Sequence, residues 1–215
     1  MPETHADPAR RSGRPSHPIA VGTLLGVAAR AFASGGYDGA SLAQIAADAG
    51  LRKASLYHHF PTKDALYEAV LGQLVGDLQG LIADAGLDTG DFVSRLDRLG
   101  GLVIDYLSAH PSAAKLLVHE MAGGGRYMVS AGAFEVRSTL DLTAAFLEAG
   151  MDAGVFRRQD PRHLTLSIVG LHLFAYCAAE VSSEFLRGDL FAPDTVEARK
   201  RTVLAQVRAL CVATS

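Results

Sequence analysis

The sequence predicts an all-α protein of about nine helices. Apolar residues recur at three- and four-residue spacing through most of the chain, and no segment sustains the two-residue alternation of a half-buried strand. Helix-starting residues and helix-stopping Gly or Pro alternate at helical lengths. With 215 residues and 49% apolar composition, the chain can bury a core as one compact domain or as a small domain joined to a larger one. It shows no internal repeat.

Residues 1 to 17, rich in Pro and Arg, read as a disordered arm, either inert or with Arg10, Arg11 and Arg14 reaching phosphates or a minor groove. Pro18 suits the first position of a helix over 18 to 34, in which Leu25, Ala28, Ala29 and Phe32 form one stripe. Gly35 and Gly36 stop it. Ser41 caps the next short helix, with Gln44 placed to close a capping box, and Gly50 ends it. A third helix, 53 to 60, stops at Pro61, and Thr62 caps a longer one reaching about residue 85. There Leu66, Val70, Leu74, Leu78 and Leu81 recur at helical spacing, while Leu71, Val75 and Ile82 widen the stripe, so this helix packs on two sides.

Breakers delimit the rest. Helices are predicted over 91 to 108 before His110 and Pro111, over 112 to 122 before Gly123, Gly124 and Gly125, and over 127 to 149 before Gly150. Asp160 and Pro161 open another reaching about residue 187, and Pro193 with Asp194 opens the last, to about 213.

Bulk properties narrow the function. Cys177 and Cys211 are too few for a disulfide framework or a paired-cysteine metal site, which points to a reducing compartment, the cytoplasm by default. Residues 1 to 18 lack the apolar segment of a signal peptide, and the charge-free stretch 164 to 179 falls short of the roughly 18 to 20 residues of a membrane span. No cofactor is implied. The net charge of −3 divides unevenly: residues 1 to 63 carry seven Lys or Arg against four Asp or Glu, leaving the acidic excess to the remainder. A basic module that meets DNA, attached to an acidic domain, has this asymmetry.

The segment 41 to 60 reads as a helix-turn-helix. Two helices that cross tightly need a small residue at the crossing, here Ala46, and a turn residue tolerant of positive φ, here Gly50. Leu42, Ile45, Ala49, Leu51 and Leu56 fill the core beneath, leaving Arg52, Lys53, Ser55, Tyr57 and His58 on an outer face of hydrogen-bond donors. The adjacent His58 and His59 are too close for a helix-face metal site.

These residues carry a resemblance. The run GGYDGASLAQIAADAGLRKASLYHHFPTKDALYEAVL, residues 35 to 71, resembles the DNA-binding domain of the TetR family of transcriptional regulators, densely over 19 to 71. The resemblance implies that Lys53 and Ala54 face base edges in the major groove, with Arg52 at the entrance to the helix. It also implies that Ser41, Ser55, Tyr57, His59 and Lys63 touch phosphates, which fix register but not sequence. Arg52 stands where the family usually has a small hydroxyl residue. Phe60 reads as a core aromatic.

The resemblance further implies a double-stranded DNA operator, a homodimer, a small-molecule effector and no membrane, with domains at 18 to 62 for DNA and 63 to 215 for ligand and dimerisation. Dimerisation is expected through 161 to 187, using Leu164, Leu166, Ile168, Val169, Leu171, Leu173 and Phe174, and through 194 to 213, using Val196, Val203, Leu204, Val207 and Leu210. Candidates for the effector pocket are Leu117, His119, Glu120, Met121, Tyr127, Met128, Phe134, His172, Phe174, Tyr176 and Cys177, apolar or aromatic with a few polar handles. His172 and Tyr176, spaced i and i+4, share a face. The expected function is a regulator, in the first instance a repressor, released from a palindromic operator by a small apolar or aromatic effector. The alternatives are a small all-helical enzyme or metalloprotein using His119, Glu120, His172 or Glu180, for which no catalytic motif appears, and an architectural DNA binder without effector.

Overall fold

A computed structural model describes residues 21–86, 89–122 and 133–212. The arm with Arg10, Arg11 and Arg14, the predicted helix starts at 18 and 127, and the pocket candidates Tyr127 and Met128 lie outside the described residues, as do the side chains of Met121 and Phe134. Among the described residues there are ten helices and no strand: α1 (Val21–Gly39), α2 (Leu42–Asp48), α3 (Lys53–His59), α4 (Lys63–Asp84), α5 (Phe92–Ala109), α6 (Pro111–Ala122), α7 (Ala133–Asp152), α8 (Pro161–Cys177), α9 (Ala179–Leu186) and α10 (Pro193–Cys211).

The local signals act much as the sequence predicts. Gly36, with φ 66° and ψ 179°, breaks the helical path near the end of α1. Ser41 caps α2 by accepting from the Gln44 backbone N–H, and Thr62 and Asp160 cap α4 and α8 in the same way. Gly50 takes φ 68° in the turn between α2 and α3. One expected detail differs: Gln44 does not close a capping box, because its amide Nε2 donates instead to Asp48 one turn on, at 2.7 Å.

Two boundaries move for reasons of packing. The predicted helix over 161 to 187 is two helices, α8 and α9, bent by 83° at Ala178, whose φ of −108° and ψ of 44° leave the helical region. No Gly or Pro marks that break. The bend accompanies the burial of Tyr176, Ala179 and Leu190 in the core, with Ser183 Oγ accepting from the Leu190 backbone N–H. Helix α7 runs past Gly150 to Asp152, and Gly150 serves as a platform: a Cβ there would lie 2.2 Å from the Phe156 ring.

Helix α1 packs across α4 and α6, tying the N-terminal head to the body, and α4 continues beside α5 and α7. Helix α10 lies on α5, while α8 lies on α6 and α7. The end of α10 is fastened to the 156–159 segment, where the Arg157 guanidinium donates to the Ala209 and Leu210 carbonyls and Gln159 Nε2 donates to Leu210. Cationic donors there satisfy carbonyls that a helix end leaves free. No single described helix is long and apolar enough to cross a membrane.

Candidate DNA-binding head and effector cavity

The head is a small core with a polar skin. Ile45 and Ala46 from α2, Leu56 from α3, Phe32 from α1 and Leu66 from α4 are fully or almost fully buried together. At about 1.5 to 3 kcal/mol for each fully buried large side chain, that cluster fixes the crossing of α2 and α3. Ala46 at the crossing is buried as a small residue must be. With Leu56 turned inward, the opposite face of α3 looks outward.

That outward face carries Arg52, Lys53, Ala54, Tyr57, His58 and His59, all exposed, with Ser55 half-buried at its edge. Lys53 Nζ sits 5.7 Å from the centre of the Tyr57 ring, and the His58 and His59 rings meet edge to face. Arg52 occupies the N-cap position of α3 without a side-chain cap bond. Ser41 is exposed and turned to its capping role. Lys63 is engaged within the head: it donates to the Asp38 carbonyl at 3.1 Å and lies 4.7 Å above the Tyr37 ring. It therefore braces the end of α1 against α4. Tyr37 in turn donates to Asp64.

The body encloses a cavity of about 230 Å³ between α4, α5, α6, α7, α8 and α10. Val75, Leu78 and Ile82 form one wall, Leu96, Leu99, Gly100, Val103 and Leu107 the next, and Thr139, Leu140, Thr143 and Phe146 a third. Leu166, Ile168, Val169, His172 and Leu173 line it from α8, Leu117 from α6 and Val207 from α10. The lining is apolar except at Thr139, Thr143 and His172, and among the described residues it contains no Lys, Arg, Asp or Glu.

Of the predicted pocket residues whose side chains are described, Leu117 and His172 line this cavity, and His119, Glu120, Phe174, Tyr176 and Cys177 do not. Glu120 is buried between α6 and α4, accepting from the Tyr67 hydroxyl at 3.2 Å. Tyr176 is buried against Ser108, their hydroxyls 2.8 Å apart, and burial pushes its pKa up. Cys177 is half-buried with Sγ 3.6 Å from the Ala114 carbonyl, and burial raises its pKa too. His119 is exposed, and Phe174 is 73% exposed on the outside of α8. Sequence reasoning missed the walls from α4, α5 and α7. Two signals pointed to them: the second apolar face of α4, and Thr139 with Thr143 at i and i+4 on an otherwise apolar side of α7.

The outward faces of α8 and α10 also differ from expectation. Leu164 and Ile168 of α8 and Val203 and Val207 of α10 are buried within the protomer. The exposed face of α8 carries His163, Leu166, Ser167, Gly170 and Phe174, and that of α10 carries Ala198, Arg201, Thr202, Ala205, Ala209 and the expected Leu210. The inward residues cover α5 and the cavity, and Leu166 and Phe174 face out together with several small residues.

A helix-turn-helix head with a donor-rich outer face, joined through α1 and the long α4 to a body with an apolar cavity, defines a ligand-responsive DNA-binding transcriptional regulator. Residues 24–70 match the family of bacterial regulatory proteins named tetR, and 93–207 match the tetracyclin repressor-like C-terminal domain. The chain belongs to the TetR family, a family of regulators rather than enzymes. It is 28% identical over 191 residues to the HTH-type transcriptional regulator RutR of Escherichia coli strain K12, covering 86% of this chain and 89% of that one. The ketosteroid transcriptional regulator KstR2 of Mycobacterium tuberculosis shares the fold, with a TM-score of 0.73 at 20% identity over 95% of this chain and all of that chain. AibR, solved with isovaleryl coenzyme A and operator DNA, gives 0.68 at 21% identity over 86% of this chain and 95% of that chain.

Proposed function

We propose that the protein is a homodimeric cytoplasmic repressor that leaves a palindromic operator when a small apolar or aromatic effector fills the body cavity. Residues 18 to 62 would form the DNA-binding domain and 63 to 215 the effector and dimer domain. The observation that carries this reading is α4, which begins at the head with Lys63 and lines the cavity with Val75, Leu78 and Ile82 near its other end. Its 22 residues span about 33 Å as one rigid rod. An effector that binds one tilt of α4 better than another shifts the tilt, and with it the separation of two heads.

Lys53 and Ala54 are the residues assigned to base edges, Lys53 by donation to a guanine edge, with Arg52 at the entrance to the helix, and Ser41, Ser55, Tyr57, His59 and Lys63 are assigned to the phosphate backbone. Dimerisation through α8 and α10 is supported by their unpartnered outer faces. Phe174 and Leu166 would supply apolar area, while Gly170, Ala198, Ala205 and Ala209 let the backbones approach closely. Exposed apolar side chains set among small residues in this way mark a contact surface.

Selection of bound duplexes from a random pool tests the reading directly. A palindromic consensus with half-sites about one helical turn apart supports it, and sedimentation of the unliganded protein at twice the 22.6 kDa chain mass supports the dimer. A monomer indifferent to duplex DNA at low salt would overturn both.

A further inference from the structure

Among the described residues of the cavity wall, one polar side-chain atom is left without a partner, and it specifies the chemistry of the molecule that fills the cavity. His172 is only 5% exposed and lines the cavity from α8. Its Nδ1 lies 2.8 Å from the Ile168 carbonyl oxygen, which can only accept, so Nδ1 carries the ring proton. Burial pushes the imidazole pKa below its usual value, and the nearby Arg199 guanidinium pushes the same way. The Ile168 and Gly100 backbones partly offset this. The ring is therefore neutral at pH 7, and Nε2 presents a lone pair.

No described group donates to that lone pair. The Gly100 backbone lies alongside as an acceptor that raises the ring pKa and donates nothing to Nε2, and a Cβ on Gly100 would come 3.1 Å from Nε2 and 2.7 Å from Leu204. Glycine thus leaves room beside the ring where any other residue would crowd it. The second polar edge points the same way: the Thr143 hydroxyl donates to the Thr139 carbonyl at 3.0 Å, so what remains to a ligand is again an acceptor. A lone water would find too few partners in so apolar a wall. A buried acceptor without a donor is costly, so a donor on the ligand is rewarded by more than an ordinary surface hydrogen bond.

We infer that the effector is a small uncharged molecule, apolar over most of its surface, with a hydroxyl that donates to His172 Nε2: a phenol or an alcohol. The inference rests on the cavity being the effector site. Nε2 is covered in the unliganded wall, so only a small turn about the histidine's soft second torsion, within what the Nδ1–Ile168 bond tolerates, would bring it to the ligand. A carboxylate, a coenzyme A thioester or a quaternary amine would bring charge against a wall whose described residues offer no counter-charge. At about 230 Å³ the cavity falls below the roughly 300 to 1,000 Å³ of drug-sized sites, which suits a substituted single ring.

The test is calorimetric titration of the full chain with three probes of one shape: 4-propylphenol, propylbenzene and 4-propylbenzoate. The phenol should bind roughly three- to tenfold tighter than the hydrocarbon, and the benzoate should bind weakest. His172→Phe should still bind propylbenzene while losing the preference for the phenol. Should that variant not fold, His172→Gln, which keeps an acceptor, should retain the preference. Equal binding of phenol and hydrocarbon, tightest binding of the benzoate, or a preference that survives His172→Phe overturns the inference while leaving the cavity as effector site. Failure of all three probes to bind would overturn the inference together with the cavity reading.

Discussion

The head and the body bury their apolar residues in different ways. In the head, Phe32, Ile45, Ala46, Leu56 and Leu66 close on one another around two short helices, and what faces outward is short, polar or cationic. In the body, six helices lean together without closing, and a cavity of about 230 Å³ remains among leucines and valines. A small core can position a few side chains against DNA only if it is filled. A larger bundle can tolerate a void, and the void is what a ligand can stabilise, since anything that binds the folded state alone raises its stability. The comparison predicts that substitutions in the head act on DNA affinity, and substitutions at the cavity on ligand response, with little crossing over.

The largest expected effect comes from opening the filled region. Leu56→Ala removes a fully buried side chain from a cluster with nowhere to collapse, which should cost about 2 to 5 kcal/mol of head stability. Operator binding should vanish in a gel-shift titration, while calorimetric binding of a cavity ligand survives. Loss of both together would show that head and body unfold as one unit and would break the comparison. Next comes Lys53→Ala, which leaves the fold intact because the side chain is exposed. If Lys53 donates to a guanine edge, affinity should fall by about 1 to 3 kcal/mol at the best site and preference at one base position should relax. A uniform loss across sequences, with a shallower salt dependence, would instead make it a phosphate contact.

The same contrast governs what could be read from the sequence. Head geometry is dictated locally: the Ser41 cap, Gly50 at φ 68° and the Thr62 cap each act within a few residues of themselves. Local signals mark single walls of the cavity, such as the second apolar face of α4, but none says that the walls fail to meet. The cavity arises where walls from α4, α5, α7 and α8 fail to meet, so Val103 and Thr143 belong to it only through partners distant in the chain. Phe174 has the composition of a pocket residue and faces out, while Val207 has that of an interface residue and faces in. Nor could the bend at Ala178 be read, because the apolar periodicity continues through it and packing alone interrupts the helix.

Filling the void sharpens the comparison from the other side. Val103→Phe projects a ring into the cavity from α5, and where the ring fits it should raise stability by about 0.5 to 2 kcal/mol in urea melts. Operator affinity should stay near that of the parent protein, and added ligand should no longer change it. A variant that still answers to ligand would place the effector elsewhere in the body.

The smallest effect belongs to His172, and its sign follows from where the ring is buried. Its usual pKa of 6.5 is lowered in the folded protein, chiefly by desolvation, with Arg199 of α10 adding to the fall and the Ile168 and Gly100 backbones resisting it. Above about pH 6.5 the ring is neutral in both folded and unfolded chains and contributes no pH dependence. Below that, the unfolded chain takes up a proton that the folded chain refuses, so stability declines as pH falls and levels off once the folded ring also titrates. Urea melts at about pH 7.5 and about pH 5.5 should therefore show a greater loss for the parent protein than for His172→Phe, which has no ring proton to gain. An equal loss in both would mean that water or a neighbouring group already reaches Nε2, and the wall of the body cavity would then be wetter than its lining implies.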